Sequence, residues 1–221
     1  MNMHNCQAHC MTLRRRGDRW TQFVRDYPSA MPTCTPYYAV DGHAELPPGW
    51  WRGPRGAWGA VRTMVNLLAL CMSTRHDEFL FFQDDAVPYP DADWERLALS
   101  CAALPDDWQW FYIGGNVGGG FRRQVNEYVC APVSVGGSHS FFIRRPAMLA
   151  LHDALLEHSN YAGINHYDDM LFMKMQREGR VDGVYSSDMW YFGQRQSFSD
   201  IECCDLPLRN EGHWRHPRDI A

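Results

Sequence analysis

Residues 78–85 read Glu-Phe-Leu-Phe-Phe-Gln-Asp-Asp. Four apolar residues in a row, without polar alternation, predict a strand over 78–83 that is covered on both faces, as in a parallel sheet. Two carboxylates follow at its C-terminal end. Adjacent Asp side chains repel each other unless a cation or a set of N–H donors balances them. A hard divalent ion with oxygen ligands does this and can also bridge to phosphates. A plain turn, with one Asp capping the helix that begins near Asp91, accounts for the pair equally well.

Outward from this strand the chain alternates strands and helices. Upstream, residues 6–13 read as a first strand and 19–26 as a helix with Asp18 as its N-cap. Residues 35–40 read as a second strand, closed by the turn pair Asp41-Gly42. The Pro-, Gly- and Trp-rich stretch 43–56 reads as loop. Apolar residues at 58, 61, 64, 65, 68 and 72 have helical spacing, which predicts a helix over 58–73. Downstream, 94–104 reads as a helix and 108–113 as a buried strand. The Gly-rich run 114–120 reads as a flexible loop. A strand over 138–143 follows, then a helix over 146–158 with Pro146 in its first turn. A helix over 168–178 opens on two carboxylates and ends at Gly179. Residues 181–186 read as the last strand, and the tail beyond Asp200 as irregular. This alternation predicts an α/β fold, Rossmann-like, with a mostly parallel central sheet. Ligands on such sheets gather at the C-terminal strand ends.

The chain has 221 residues, 45% hydrophobic and 21% charged, an ordinary globular balance that excludes disorder as the main state. Its length fits one domain over 1–221, with 203–221 as an irregular tail closing the site. The longest apolar runs, 67–72 and 79–82, fall far short of the ~20 residues that span a bilayer. The start lacks a basic and an apolar region, so no signal peptide and no transmembrane segment are expected, and a cytoplasmic location is. Net charge is −5, against the sign usual for proteins that coat polyanions. Lys174 is the single Lys among 21 basic residues. The run Arg14-Arg15-Arg16 with Arg19 is suited to forked hydrogen bonds with phosphate, or is a solvated basic turn. Eight irregularly spaced Cys without a C-x-x-C read as mostly buried thiols. Cys6, Cys10, His4 and His9 are a minor zinc candidate.

The order of motifs resembles a glycosyltransferase of the GT-A fold, nearest to the lipooligosaccharide and procollagen galactosyltransferases (glycosyltransferase family 25). The residues that carry it are Met11 to Arg19, Val40-Asp41-Gly42, Gly56-Ala57-Trp58-Gly59, Phe81-Phe82-Gln83-Asp84-Asp85-Ala86 and Gln196-Ser197-Phe198-Ser199-Asp200-Ile201. Together they cover roughly residues 8–202. Gln83 stands where the family has Glu, Trp58-Gly59 replaces its Gly-Cys pair, and the Ser-His of the following helix is missing.

The resemblance implies transfer of a sugar from a nucleotide-sugar donor, a UDP-sugar first among candidates, to a hydroxyl acceptor with inversion. A Mn²⁺ or Mg²⁺ ion at Asp85, with Asp84, would stabilise the diphosphate leaving group as a Lewis acid. The turn at Arg14 and Arg16 would meet the nucleotide, and Asp41-Gly42 the ribose or base. His213, beside the permissive Gly212, would complete the metal site. Inverting transfer needs a carboxylate to take the acceptor's proton, a role for Asp169 or Asp168; helix capping is the plainer role of Asp168. Trp50, Trp51 and Trp58 offer aromatic faces to a sugar or base, or pack among themselves. His139 reads as a core residue. The acceptor is a glycan, a protein or a modified DNA base. Two other classes fit less well: a two-metal phosphoryl-transfer enzyme on Asp84, Asp85, Asp168 and Asp169, and a non-catalytic nucleotide-sugar-binding domain. Oligomeric state is unreadable from this sequence.

Overall fold

The computed structural model describes residues 1–161 and 170–195, and the backbone of two short strands at 197–199 and 204–206. Strand β1 (Gln7–Thr12) is followed by α1 (Gly17–Asp26), β2 (Cys34–Tyr38) and α2 (Arg55–Met72). Then come β3 (Glu78–Gln83), the short β4 (Ala86–Pro88), α3 (Trp94–Ala102) and the long hairpin of β5 (Trp110–Gln124) and β6 (Val129–Arg144). The chain continues through α4 (Arg145–Leu156), α5 (Phe172–Arg177), β7 (Val184–Ser187), β8 (Phe192–Gln194), β9 (Ser197–Ser199) and β10 (Cys204–Leu206).

The central sheet has six strands in the order β2-β1-β3-β6-β5-β7. β1, β2 and β3 are parallel, β5 and β7 are parallel to each other, and β6 runs against both β3 and β5. The fold is therefore α/β with a mostly parallel sheet, as the alternation predicted. Strand pleating sends successive side chains to opposite faces. Phe79 and Phe81 of β3 enter one core with residues of α2, α4 and α5. Leu80 and Phe82 enter a second core with residues of α1 and α3. Both faces are covered, which is why β3 has no polar alternation.

Several boundaries depart from the sequence reading. Helix α2 starts at Arg55, directly after Pro54, which occupies its N-cap position. Helix α1 starts at Gly17 and is not capped by Asp18. Arg16 holds that carboxylate in a fork, with Nε 3.0 Å from Oδ1 and Nη2 2.9 Å from Oδ2, in the helix's first turn. There the negative charge complements the helix dipole. The run 114–120 is not a loop. It lies inside β5, paired with β6 and broken by register shifts. A Cβ at Gly114 would collide with the Phe192 carbonyl and the Ser140 hydroxyl, so these glycines permit close approach of neighbouring backbone. The tail is not wholly irregular, because β10 pairs antiparallel with β9. Among the described residues no helix is long and apolar enough to cross a membrane.

Candidate functional site

The C-terminal ends of β1, β2 and β3 open into a cleft of about 690 Å³. Three segments line it: Met11 to Leu13 after β1, Ala39 to His43 after β2, and Gln83 to Asp85 after β3. Gly56, Ala60 and Thr63 of α2 close one wall, and Arg15 and Arg19 another.

Asp84 is buried, with both carboxylate oxygens engaged inside the protein. The Thr12 hydroxyl donates to Oδ2 at 2.7 Å and Arg19 Nη1 donates to Oδ1 at 3.1 Å. Burial pushes the carboxyl up from its ordinary value, and Arg19 and Thr12 pull against that shift. Asp85 is half-buried and lines the cleft, and its carbonyl accepts from the Arg195 amide at 2.7 Å. The adjacent carboxylates thus differ: both line the cleft, but Asp84 is buried and held by donors within the fold, while Asp85 is half-buried. Gln83 donates from Nε2 to the Ser138 hydroxyl at 2.6 Å, tying the end of β3 to β6.

The arginines sort themselves by element. Arg14 lies over the Tyr38 ring at 4.1 Å, and Arg16 holds Asp18. Neither lines the cleft. Arg15 does, and its Nε donates to Asp41 Oδ2 at 2.7 Å. That bond to Arg15 is the main cause holding the Asp41 carboxyl below its ordinary value. Arg19 lies one helical turn before the buried Phe23 on the inward stripe of α1. The sequence named all four arginines as phosphate candidates but put Arg14 and Arg16 at the nucleotide, whereas Arg15 and Arg19 are the two that line the cleft; the signal for Arg19 was a charged residue on an apolar stripe. Gly42 sits where β2 runs onto α2, and a Cβ there would collide with the Arg55 carbonyl. Its role in the structure is this close contact.

The tryptophans pack among themselves. Trp50 stacks on His158 at 4.2 Å and meets Trp51, Trp58 and Tyr161 within 6.1 Å. His139 is fully buried in β6. Asp168, Asp169, His213, Gln196, Asp200 and Ile201 lie outside the described residues. Among the described residues no three His, Cys, Asp or Glu side chains come together to hold a metal, the Cys6 and Cys10 neighbourhood included. Cys6 is buried beside Glu78, and the His9 ring meets the Thr35 hydroxyl at 3.0 Å.

No family model matches the chain, and no curated protein matches it. Among solved structures it is similar to A197 from STIV. That likeness has 12% identity over 95% of this chain and 97% of the other, with a TM-score of 0.40.

Proposed function

We propose that the protein is a glycosyltransferase that moves a sugar from a nucleotide-diphosphate donor to a hydroxyl acceptor with inversion. The observation that carries this reading is the gathering of Arg15, Arg19, Asp41 and Asp85 around one cleft at the parallel strand ends. Cationic forks match a diphosphate, and ligands of open α/β sheets gather at such ends. Arg15, braced by Asp41, is placed to bind the donor's phosphates and to stabilise them as charge accumulates on the leaving group. In the reaction the anomeric C–O bond breaks with its electron pair going to the diphosphate. The acceptor oxygen forms the new bond and gives its proton to a carboxylate, the role assigned to Asp169 or Asp168. A Mn²⁺ or Mg²⁺ ion, when bound, supplies Lewis-acid stabilisation of that leaving group. Asp85 fits such an ion and Asp84 does not, because its oxygens are taken by Thr12 and Arg19. This division also disfavours two-metal phosphoryl transfer, which needs both carboxylates.

The test is calorimetry with UDP and UDP-glucose, with and without Mn²⁺, on the wild type and on Arg15→Gln. Saturable binding that falls about tenfold or more in Arg15→Gln is expected, the scale of a lost charge-assisted fork. Equal affinity in both proteins, or no binding of any of a panel of UDP-, GDP-, CMP- and dTDP-sugars, would sink the reading. Binding without turnover of any acceptor would shift it to a nucleotide-sugar-binding domain.

A further inference from the structure

The long β5–β6 hairpin does more than extend the sheet. Ser186 of β7 pairs with Tyr112 near the start of β5 and also with Cys130 near the start of β6. The hairpin therefore curls around β7 and encloses a second cleft, of about 610 Å³, which shares no lining residue with the first. Val133 of β6 and the buried Val181 give it an apolar floor. Gln176 makes a rigid wall, accepting from the Val135 amide at 2.7 Å and donating to the Val135 carbonyl at 2.9 Å and the Tyr112 hydroxyl at 3.0 Å.

Two arginines stand at its mouth for a reason visible in the register. Consecutive residues of a regular strand face opposite sides. Here Phe121 pairs with Pro132 and Arg123 with Ala131, so Arg122 is an extra residue and β5 bulges. A bulge re-aims side chains, and both Arg122 and Arg123 line the cleft. Gly119 and Gly120, with φ of +77° and +80°, supply the backbone freedom just before it. Tyr185, which also lines the cleft, is held by donating its hydroxyl to Asp107 Oδ1 at 2.9 Å. Among the described residues no carboxylate forms an ion pair with Arg122 or Arg123. Among the described residues Asp182, exposed, is the one acidic residue that lines the cleft.

We propose that this second cleft binds a phosphate monoester of a small polyhydroxylated molecule. Two adjacent guanidinium groups match a phosphate monoester of about −1.5 to −2 charge better than a single carboxylate. Asp182 accepts from a hydroxyl of the organic part, which lies on Val133 and Val181. The site is independent of the donor cleft and of the activity proposed for it.

The experiment is calorimetry in excess UDP, so that a working donor cleft is already filled. The probes are glucose 6-phosphate, inorganic phosphate and glucose, each titrated into the full chain. Saturable 1:1 binding of glucose 6-phosphate is expected, with inorganic phosphate weaker and glucose inert. R122Q/R123Q should weaken glucose 6-phosphate about tenfold or more without lowering the melting temperature, since both side chains are exposed. Asp182→Asn should weaken glucose 6-phosphate and leave inorganic phosphate unchanged or tighter. Undiminished binding in R122Q/R123Q, no saturable binding of either phosphate probe, or inorganic phosphate binding as tightly as the sugar phosphate would each overturn the proposal. Failure of UDP to bind would strike the donor-cleft reading alone, because this titration reads a separate set of residues.

Discussion

Replacing Asp84 by Asn would leave the Arg19 guanidinium buried beside a neutral amide. Breaking a buried ion pair from one side costs about 3–5 kcal/mol, because the remaining charge stays desolvated. Asp84→Asn should therefore lower stability on that scale, and pairing it with Arg19→Met should restore most of the loss. Asp85→Asn is the contrast. It should stay close to wild type in urea denaturation while losing the Mn²⁺-dependent part of UDP affinity. A Mn²⁺ dependence untouched in Asp85→Asn but abolished in Asp84→Asn would reverse the two roles. The sequence carried half of this. It showed that two carboxylates at a strand end need neutralising, and that N–H donors are one means. It did not show that Arg19, 65 residues away, is the donor for one of them.

Helix α2 makes one wall of the first cleft, and its position rests on a contact between glycines. A Cβ at Gly59 would sit 2.5 Å from the Gly42 nitrogen and 2.7 Å from the Val40 carbonyl oxygen. These are backbone atoms that cannot swing away. Beside them the Val40 amide donates to the Thr63 hydroxyl at 2.9 Å, which donates to the Gly59 carbonyl at 2.7 Å. Gly59→Ala should cost about 1–3 kcal/mol, the usual scale of overpacking. It should also weaken UDP, because Val40, Gly42 and Thr63 all line the cleft. A Gly59→Ala variant with unchanged melting temperature and affinity would refute the account. At this scale legibility followed periodicity. Strand β3 matched its expected bounds because an uninterrupted apolar run has one reading when flanked by turn residues. The glycines at 114–120 misled because glycine marks both slack chain and close packing, and only the neighbouring strand tells which. Arg14 and Arg16 were favoured over Arg15 because side-chain direction in a turn depends on dihedrals that residue spacing does not encode.

Across the whole molecule, a late segment of the described chain returns to the first cleft. β4, directly after Asp85, pairs with β8, so the chain leaving β8 starts beside the cleft wall. Arg195 fixes this exit twice: its amide donates to the Asp85 carbonyl, and its guanidinium bonds Asp26 at the end of α1. The antiparallel β6 and this exit were beyond the sequence, because both rest on pairings between segments far apart in the chain. Arg25 and Arg195 share the Asp26 carboxylate and hold its pKa down at about 2, against 3.8 ordinarily. Because folding lowers this group's proton affinity, its stabilisation is complete above 3.8 and is lost as pH falls toward 2. Both side chains of the Asp26–Arg195 pair remain about a quarter exposed, so salt should weaken the effect. Melting temperature against pH, in wild type and Asp26→Asn, reads this directly. Wild type should be the more stable near neutrality, and the two curves should converge between about pH 4 and 2. Curves that stay parallel through that window would mean that the carboxylate contributes no charge-dependent stability and that β4–β8 pairing alone holds the exit.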